Sequence, residues 1–379
     1  MDGFPDQVLD LLAPRPRRVA VLKDVPGGNG SWLTETAAGK LVVLRRYHAR
    51  ATPEDLAYEH AVLRHLDGAG WVVPSPVSEA VAHQGLWYCL TRYVPGAAVA
   101  AEDAGQAGRR GRDLARLHLA LRGLGDRMGQ RPGWRAQHAG VTVHAGIDWD
   151  ACLRALAEVS PRLAAWAQAA AARAHGSLTA LGARDLPVMV VHGDFAEWNV
   201  HYEHGRLAGV IDFGLTHLDS RPYELAIART YRSPRVTDAY RAELAAGGWP
   251  LSELEEAAVG PVYRAFRVDM AAWRIEAGLA AGRYDLAAIE RQLARTGTPP
   301  PSGPSPGYRG ISGLRGRSGQ SRGTKVSAQD GCSAVIDRQV PAKGTNRVKR
   351  ITLAVVLVSR SAMARGGARW VRGTTDRSG

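Results

Sequence analysis

Three polar side chains in the second half of the chain have types and spacing that suit phosphoryl transfer. Asp194 follows the apolar run Val188–Val191 within a His-Gly-Asp motif. Asn199 comes five residues later, and Asp212 follows Leu207–Ile211 within an Asp-Phe-Gly motif. Carboxylate and amide oxygens are hard ligands for Mg²⁺, and one carboxylate must orient or deprotonate the attacking hydroxyl. Either motif alone would fit an ordinary turn, but both together, each after a buried strand, favour an active site.

The segment that carries these residues resembles a known family. Val190–Gly214, with the sequence VVHGDFAEWNVHYEHGRLAGVIDFG, is similar to the catalytic and metal-binding loops of the aminoglycoside phosphotransferase and choline kinase-like family, relatives of the protein kinases. The likeness covers roughly residues 18–296 and is strongest at the two motifs. It implies that Asp194 is the catalytic aspartate, that Asn199 and Asp212 bind Mg²⁺, and that ATP is the phosphate donor.

Two departures from the protein kinases concern the substrate. Gly193 stands where protein kinases have the arginine that pairs with a phosphorylated activation loop, so activation by loop phosphorylation is not expected. The segment after Gly214 is short and lacks an Ala-Pro-Glu motif, which favours a small acceptor over a peptide. Glu224 replaces a more usual Asp, and a structural role in holding the catalytic loop is favoured over substrate contact.

A Gly-rich segment between two predicted strands is the candidate phosphate loop. The strands are Arg18–Lys23 and Leu41–Tyr47, both rich in β-branched residues. Backbone N–H groups of the segment could close over phosphates, but a plain hairpin turn explains the same residues equally well. The candidate residues are Gly28, Asn29, Gly30 and Ser31.

Arg45 takes the place of the lysine that holds the α- and β-phosphates in kinases. It lies on the second of these strands, and Glu59 on the following helix is its predicted partner. A guanidinium can bind phosphate and carboxylate together, although it is not equivalent to lysine. Arg46 and Lys40 are the competing, surface-exposed candidates. Family resemblance alone places the backbone near Thr91 and Tyr93 against the adenine.

The acceptor-binding residues are less well defined by the sequence. Glu197 lies inside the catalytic loop, while Asp269 and Glu276 share a helix face with Trp273 and would suit a cationic acceptor. The opposing interpretation is a core stripe of apolar residues at the same spacing, with the two acids on its solvated flank, and this interpretation is favoured.

The helices and strands predicted around these residues indicate an α+β, two-lobed, protein kinase-like fold. Residues 1–96 form a small antiparallel β lobe with one helix, which would bind the nucleotide, and residues 97–296 form a larger, mainly α lobe for catalysis and acceptor binding. Residues 297–379 are rich in Gly, Ser and Arg and have no sustained apolar period, so they are predicted to be disordered.

Composition argues against several other function classes. The net charge is +13, but residues 297–379 hold 15 Lys and Arg against 3 Asp and Glu, so the body is almost neutral and no nucleic-acid partner is expected for it. The three cysteines form no metal or disulfide pattern, which fits a cytoplasmic protein. No apolar run is long enough to span a bilayer.

The sequence therefore predicts a kinase that transfers the γ-phosphate of ATP, with Mg²⁺, to a hydroxyl of a small molecule. The acceptor could be an aminoglycoside, another antibiotic, or a metabolite such as choline, homoserine or a sugar. The alternative is a catalytically silent nucleotide-binding module, for which Arg45 is the one hint. A basic tail that binds nucleic acid is a third hypothesis, and its salt-dependent binding would disappear with residues 297–379. The oligomeric state is not indicated.

Overall fold

Strands rich in β-branched and aromatic residues form an antiparallel sheet in the first part of the chain. The strand order is β1-β2-β3-β5-β4. The five strands are β1 (Arg17–Asp24), β2 (Gly30–Glu35), β3 (Leu41–Arg46), β4 (Val81–His83) and β5 (Leu86–Arg92). Helix α1 (Asp6–Leu9) contributes to their apolar core, which contains Val8, Leu9, Leu12, Trp32, Val42, Leu44, Tyr88 and Leu90.

The computed structural model describes residues 6–12, 15–24, 29–98, 104–228, 234–301, 333–341 and 348–356. The chain divides into two units, the first containing the residues through Ala51, Pro76–Tyr93 and the residues from Val355, and the second containing Thr52–Ser75 and Val94–Ala354. The predicted boundary after residue 96 therefore differs from this division. The helix after Thr52 belongs to the second unit because its buried side chains join that unit's core.

Helices dominate the second unit. They are α2 (Pro53–Gly68), α3 (Ala104–Leu121), α4 (Leu124–Met128), α5 (Trp149–Val159), α6 (Pro161–Ala180), α7 (Arg221–Ala228), α8 (Pro234–Ala246), α9 (Glu253–Ala281) and α10 (Leu286–Ala294). Helix α2 begins with a capping box formed by Thr52 and Asp55. Helix α9 ends at Gly282, which lies in the left-handed region with φ of 65°.

Short strands in the second unit position the two motifs. Strands β8 (Val200–Glu203) and β9 (Arg206–Val210) form a hairpin, and β6 (Ala97–Ala98) pairs with β8. A separate antiparallel pair consists of β7 (Val188–Val191) and β10 (His217–Ser220). Strand β7 is the predicted buried strand before His-Gly-Asp, and β9 is the one before Asp-Phe-Gly.

Two further strands lie in the basic tail. They are β11 (Ser333–Pro341) and β12 (Val348–Val356), which pair with each other. Both contain runs of β-branched residues, so at these positions the structure has strands where the sequence predicts disorder. The remaining positions after residue 301 lie outside the described residues, and disorder of the tail as a whole stays a prediction. In the described part of the chain, no helix combines the length and apolarity needed to cross a membrane.

Candidate active site

The β8–β9 hairpin brings the two predicted metal ligands to neighbouring positions. Val200 pairs with Val210 at the open end of the hairpin. One residue further out, the backbone N–H of Ile211 donates to the carbonyl oxygen of Asn199 at 2.9 Å. The backbone of Asn199 is therefore held across from that of the residue before Asp212, and the binding of one metal ion by both side chains stays a prediction.

His192 connects the two motif loops through its imidazole. Its Nδ1 accepts from the backbone N–H of Asp194 at 3.1 Å, so Nε2 carries the proton and donates to the carbonyl oxygen of Ile211 at 2.8 Å. The ring packs on Phe213 with centroids 4.4 Å apart. The imidazole of His192 therefore links the His-Gly-Asp loop to the Asp-Phe-Gly loop.

Asp194 and Asn199 are hydrogen-bonded to each other. The Nδ2 of Asn199 donates to the carbonyl oxygen of Asp194 at 2.8 Å and to its Oδ2 at 3.0 Å. Because the nitrogen end of this buried amide is committed to Asp194, the oxygen end is the one that can face a cation. An amide oxygen beside carboxylates is a donor set that fits Mg²⁺.

Asp212 has an unusual backbone conformation. Its φ is 64° and its ψ is 59°, in the left-handed region that non-glycine residues seldom occupy. Such a conformation costs of order 1 to 3 kcal/mol and is typical of functional sites, where the surrounding structure imposes it. The next residue, Phe213, is fully buried and fixes the turn in place.

Glu224 anchors the catalytic loop through two hydrogen bonds to its backbone. Its carboxylate accepts from the backbone N–H groups of Gly193 at 3.0 Å and Phe195 at 3.1 Å. Burial by itself would raise the pKa of this fully buried group, but His118, His192 and the amide of Gly193 lower it below its usual range. The favoured structural role of Glu224 therefore agrees with its contacts.

Gly193 cannot be replaced by a residue with a side chain in this loop. Its φ is 84°, and a Cβ atom would lie 2.1 Å from the carbonyl oxygen of Leu215. The arginine of the protein kinases has no room at this position. The chain after Gly214 also returns at once to the sheet, where His217 pairs with Val191. It leaves no extended segment on which a peptide could lie.

Asp269 is buried, so its predicted place on a solvated flank is wrong. It lies in α9 with no exposed surface, because the loop before α5 covers it and the N–H of Val143 donates to its Oδ1 at 3.1 Å. Its Oδ2 receives no well-aligned donor from the described residues, but the indole of Trp273 lies close enough to lower the pKa of the carboxyl group. Burial raises the pKa of Asp269 to about 8, the Val143 amide lowers it, and the nearby Asp219 raises it again.

The other two acceptor candidates differ from Asp269. Glu197 lies on the short 3-10 turn Glu197–Asn199 and is buried two residues before Asn199. Glu276 is half-buried on α9. Trp273, between the two acids of that helix, makes an edge contact with His144, with ring centroids 5.7 Å apart.

The phosphate-loop candidates lie in the first unit. Gly28 is outside the described residues, and Asn29 is half-buried just before β2. Gly30 and Ser31 begin β2, where Gly30 pairs with Asp24 of β1 and Ser31 with Arg45 of β3. These two residues therefore belong to the sheet ladder, and their contact with phosphate stays a prediction.

Arg45 is distinguished from its competitors by burial. It is 7% exposed and its guanidinium stacks on Tyr47 at 4.8 Å, whereas Arg46 is half-buried over Trp32 and Lys40 is exposed. A cation buried at this position of β3 agrees with the predicted phosphate ligand.

The remaining candidates for nucleotide binding are Glu59, Thr91 and Tyr93. Glu59 is 1% exposed on α2, in the second unit, and its pairing with Arg45 stays a prediction. Thr91 is buried within the sheet, where its hydroxyl donates to the carbonyl oxygen of Val43, and Tyr93 is half-buried after the strand. The adenine contact of Thr91 and Tyr93 also stays a prediction.

Two polar residues near the motifs were not predicted. Asp219 is fully buried on β10, and its Oδ2 accepts from the N–H of Gln137 at 2.7 Å. Arg131 is buried beside the segment that follows the Asp-Phe-Gly motif and donates to the carbonyl oxygens of Gly214 and Thr216. Neither lies in a recognisable local pattern, and the Pro-Gly after Arg131 indicates only a loop.

Comparison with known proteins identifies the family. A model of a phosphotransferase enzyme family matches residues 21–259, which is more than half of the chain. The chain belongs to this family. The match confirms the resemblance found in the sequence and the predicted class of enzyme, a kinase of small molecules with a hydroxyl acceptor.

Several bacterial relatives of known function are homoserine kinases. The one from Gluconobacter oxydans (strain 621H) is 28% identical over 243 residues, covering 61% of this chain and 73% of the relative. The one from Xanthobacter autotrophicus (strain ATCC BAA-1158 / Py2) is 28% identical over 207 residues, covering 52% and 60%. The one from Phenylobacterium zucineum (strain HLK1) is 26% identical over 290 residues, covering 72% and 86%.

Solved structures confirm the fold class. An amicoumacin kinase in complex with AMP-PNP, Ca²⁺ and Ami superposes with a TM-score of 0.57 at 16% identity, covering 77% of this chain and 92% of that one. A choline/ethanolamine kinase family protein from Mesorhizobium loti gives 0.53 at 19% identity, covering 78% and 90%. At these identities the likeness concerns the fold, which is the predicted α+β kinase-like architecture.

Proposed function

We propose that this protein transfers the γ-phosphate of ATP to a hydroxyl of a small amino alcohol, and that homoserine is the first acceptor to test. The observation that carries the proposal is the pairing of Asp194 with Asn199 in a loop anchored by Glu224. This pairing supplies a carboxylate held in one position and an amide oxygen for a cation, which are the parts that phosphoryl transfer needs.

Each residue has a defined part in the reaction. Asp194 orients the acceptor hydroxyl and takes its proton as the oxygen bonds to the γ-phosphorus. The bond from that phosphorus to the β–γ bridging oxygen breaks, and ADP leaves. Mg²⁺, held by Asn199 and Asp212, would neutralise charge on the phosphates. Arg45 would hold the α- and β-phosphates, with the Gly-rich segment over them.

An amine on the acceptor is suggested by two buried acids, Glu197 in the loop and Asp269 on α9. Besides the N–H of Val143, the carboxylate of Asp269 interacts with the side chain of Trp273, and its Oδ2 has no well-aligned donor among the described residues. A buried carboxyl with a raised pKa becomes ionised when a cation binds beside it, so an ammonium group would stabilise its charged form. The names of two of the similar proteins agree with this chemistry, since homoserine and ethanolamine both carry an amine and a hydroxyl.

The test is acceptor-stimulated ADP release from Mg²⁺ and ATP, measured with homoserine, choline, ethanolamine, aminoglycosides, macrolides and sugars. Asp194→Asn is expected to abolish the stimulation. Asp185→Asn, an exposed acid just before β7, is the matched control and should behave as wild type. Stimulated turnover that survives in Asp194→Asn would overturn the mechanism. Tight ATP binding with no turnover on any acceptor would favour the silent nucleotide-binding module instead.

A further inference from the structure

One buried guanidinium joins the first turn of α2 to the segment after the Asp-Phe-Gly motif. The Nε of Arg131 donates to Oδ1 of Asp55 at 2.7 Å. Its Nη1 donates to the carbonyl oxygens of Gly214 at 2.9 Å and Thr216 at 3.0 Å. The guanidinium also lies over the ring of Trp134, 5.0 Å from its centroid. Arg131 is therefore held from several directions and in one geometry.

The two residues before Arg131 together link the same two elements, Gly129 contacting α2 and Gln130 contacting the segment after the Asp-Phe-Gly motif. The hydroxyl of Tyr58, on α2, donates to the carbonyl oxygen of Gly129 at 3.2 Å. The side-chain amide of Gln130 accepts from the N–H of Leu218 at 2.9 Å and donates to its carbonyl oxygen at 3.0 Å. We name residues 129–131 the strap, because three consecutive residues link α2 with the segment from Gly214 to Leu218.

The ion pair at the centre of the strap is costly to break from one side. Arg131 and Asp55 are 6% and 16% exposed at their side chains, so removing either partner leaves a charge poorly solvated. Asp55 also accepts from the N–H of Thr52 through its Oδ2, as part of the helix cap. The start of α2 and the backbone at Gly214 thus depend on the same carboxylate.

We propose that Arg131 is a positioning residue that sets the place of Asp212 by fixing the backbone two residues later against α2. The inference rests on the proposed function, in which Asp212 binds the metal. Because α2 also carries Glu59, the strap ties together two elements that would handle the nucleotide phosphates. The effect of losing Arg131 should therefore appear in the metal dependence of nucleotide binding.

The experiment is a Mg²⁺ titration of AMP-PNP binding by calorimetry for wild type, Arg131→Gln and Arg131→Lys. In Arg131→Gln the Mg²⁺ concentration for half-maximal binding should rise about tenfold, because the bonds to Asp55 and to the carbonyl oxygens of Gly214 and Thr216 are lost and the backbone beside Asp212 is no longer fixed. Binding of the nucleotide without Mg²⁺ should not change, and Arg131→Lys should restore part of the loss. Arg241→Gln is the matched control, since it removes a partly exposed arginine paired with Glu256.

The outcomes separate the strap from the proposed function. Equal Mg²⁺ dependence in wild type and Arg131→Gln overturns the role of Arg131 and leaves the proposed function standing. A wild type that binds no Mg²⁺-nucleotide refutes the proposed function. Hydrogen exchange then decides on the strap, since faster exchange of residues 213–218 in Arg131→Gln supports it and unchanged exchange overturns it. If Arg131→Gln does not fold, Asp55→Asn is titrated in the same way, and a smaller rise is expected.

Discussion

Two fully buried carboxyl groups of the second unit, Glu224 and Asp269, have opposite environments. Glu224 receives two backbone N–H groups and interacts with two histidines, and its pKa is lowered. Asp269 receives one N–H group, lies near Asp219, and has its pKa raised to about 8 by burial. A buried acid surrounded by N–H groups and histidines is stabilised as a carboxylate, whereas a buried acid with fewer such partners is stabilised in its protonated form.

The largest expected effect is the loss of turnover in Asp194→Asn. This substitution changes the reactive group of the catalytic loop and leaves its anchor, Glu224, unchanged. Asp194→Asn should lower turnover by about 10² to 10⁴-fold, because an amide cannot accept the acceptor's proton. The melting temperature should change little, since the loop keeps its two bonds to Glu224. Steady-state kinetics with thermal unfolding on the same preparation checks both. A large loss of stability would mean that Asp194 is itself part of the anchor.

Glu224→Gln should reverse that pattern. A glutamine has one acceptor oxygen for the two N–H groups of Gly193 and Phe195, so one of them is left unsatisfied or opposed by the amide nitrogen. Unfolding free energy should fall by about 2 kcal/mol, as measured by urea denaturation. Turnover falls as a consequence of the displaced loop. Unchanged stability with a selective rise in acceptor KM would instead assign Glu224 to substrate contact.

The pH dependence of stability should have opposite signs for the two carboxyl groups. The pKa of Asp269 is about 8 in the folded state and 3.8 by its ordinary value, so between these values the folded state alone holds the proton. The contribution of this group to the unfolding free energy is fully present below the ordinary pKa. It is lost as pH rises toward 8, at about 1 kcal/mol per pH unit. Asp269→Asn should remove this slope in urea denaturation between pH 6 and 8.

Glu224 provides the contrast for that measurement. Its lowered pKa means that its stabilisation is present above the ordinary value of 4.5 and is lost as pH falls through the lowered value. Glu224→Gln should therefore flatten the acid side of the stability profile and leave the slope between pH 6 and 8 intact. If both variants changed the same side, the two environments would not differ in the way described.

The smallest effect is expected for Glu276, which shares α9 with Asp269 but is half-buried. Glu276→Gln should change the unfolding free energy by less than about 0.5 kcal/mol, as is usual for substitutions outside the core. Its effect on the KM for an amine acceptor should be smaller than that of Asp269→Asn. A larger effect would place the acceptor nearer the C-terminal end of α9 and weaken the distinction between the two acids.

The predictable part of the site is the part encoded locally. Asp194, Asn199 and Asp212 lie within one short segment whose strands and turns are visible in the sequence, and the hairpin between them follows from that spacing. The role of Glu224 was also foreseen, because it occupies a family position. Secondary structure in the sheet of the first unit followed from its β-branched runs. The boundary between units did not, because the core to which α2 belongs depends on distant residues.

The unpredicted residues act over long separations in the chain. Arg131 contacts Gly214 across 83 residues, and no periodic pattern connects the two. The burial of Asp269 depends on Val143, 126 residues earlier. The sequence pattern around Asp269 indicates a helix with an apolar face. Whether Asp269 packs inward depends on the loop that contains Val143 and covers this part of α9. Long-range hydrogen bonds of this kind leave no local signature in one sequence.

The glycine before the catalytic aspartate has an evolutionary consequence. A side chain at Gly193 would collide with the Leu215 carbonyl, so the arginine that makes other kinases responsive to phosphorylation cannot arise by one substitution. The backbone after the Asp-Phe-Gly motif would have to move in the same step. Binding of a phosphorylated loop through that arginine would therefore require coordinated changes at two places in the chain, which are more than twenty residues apart in the sequence.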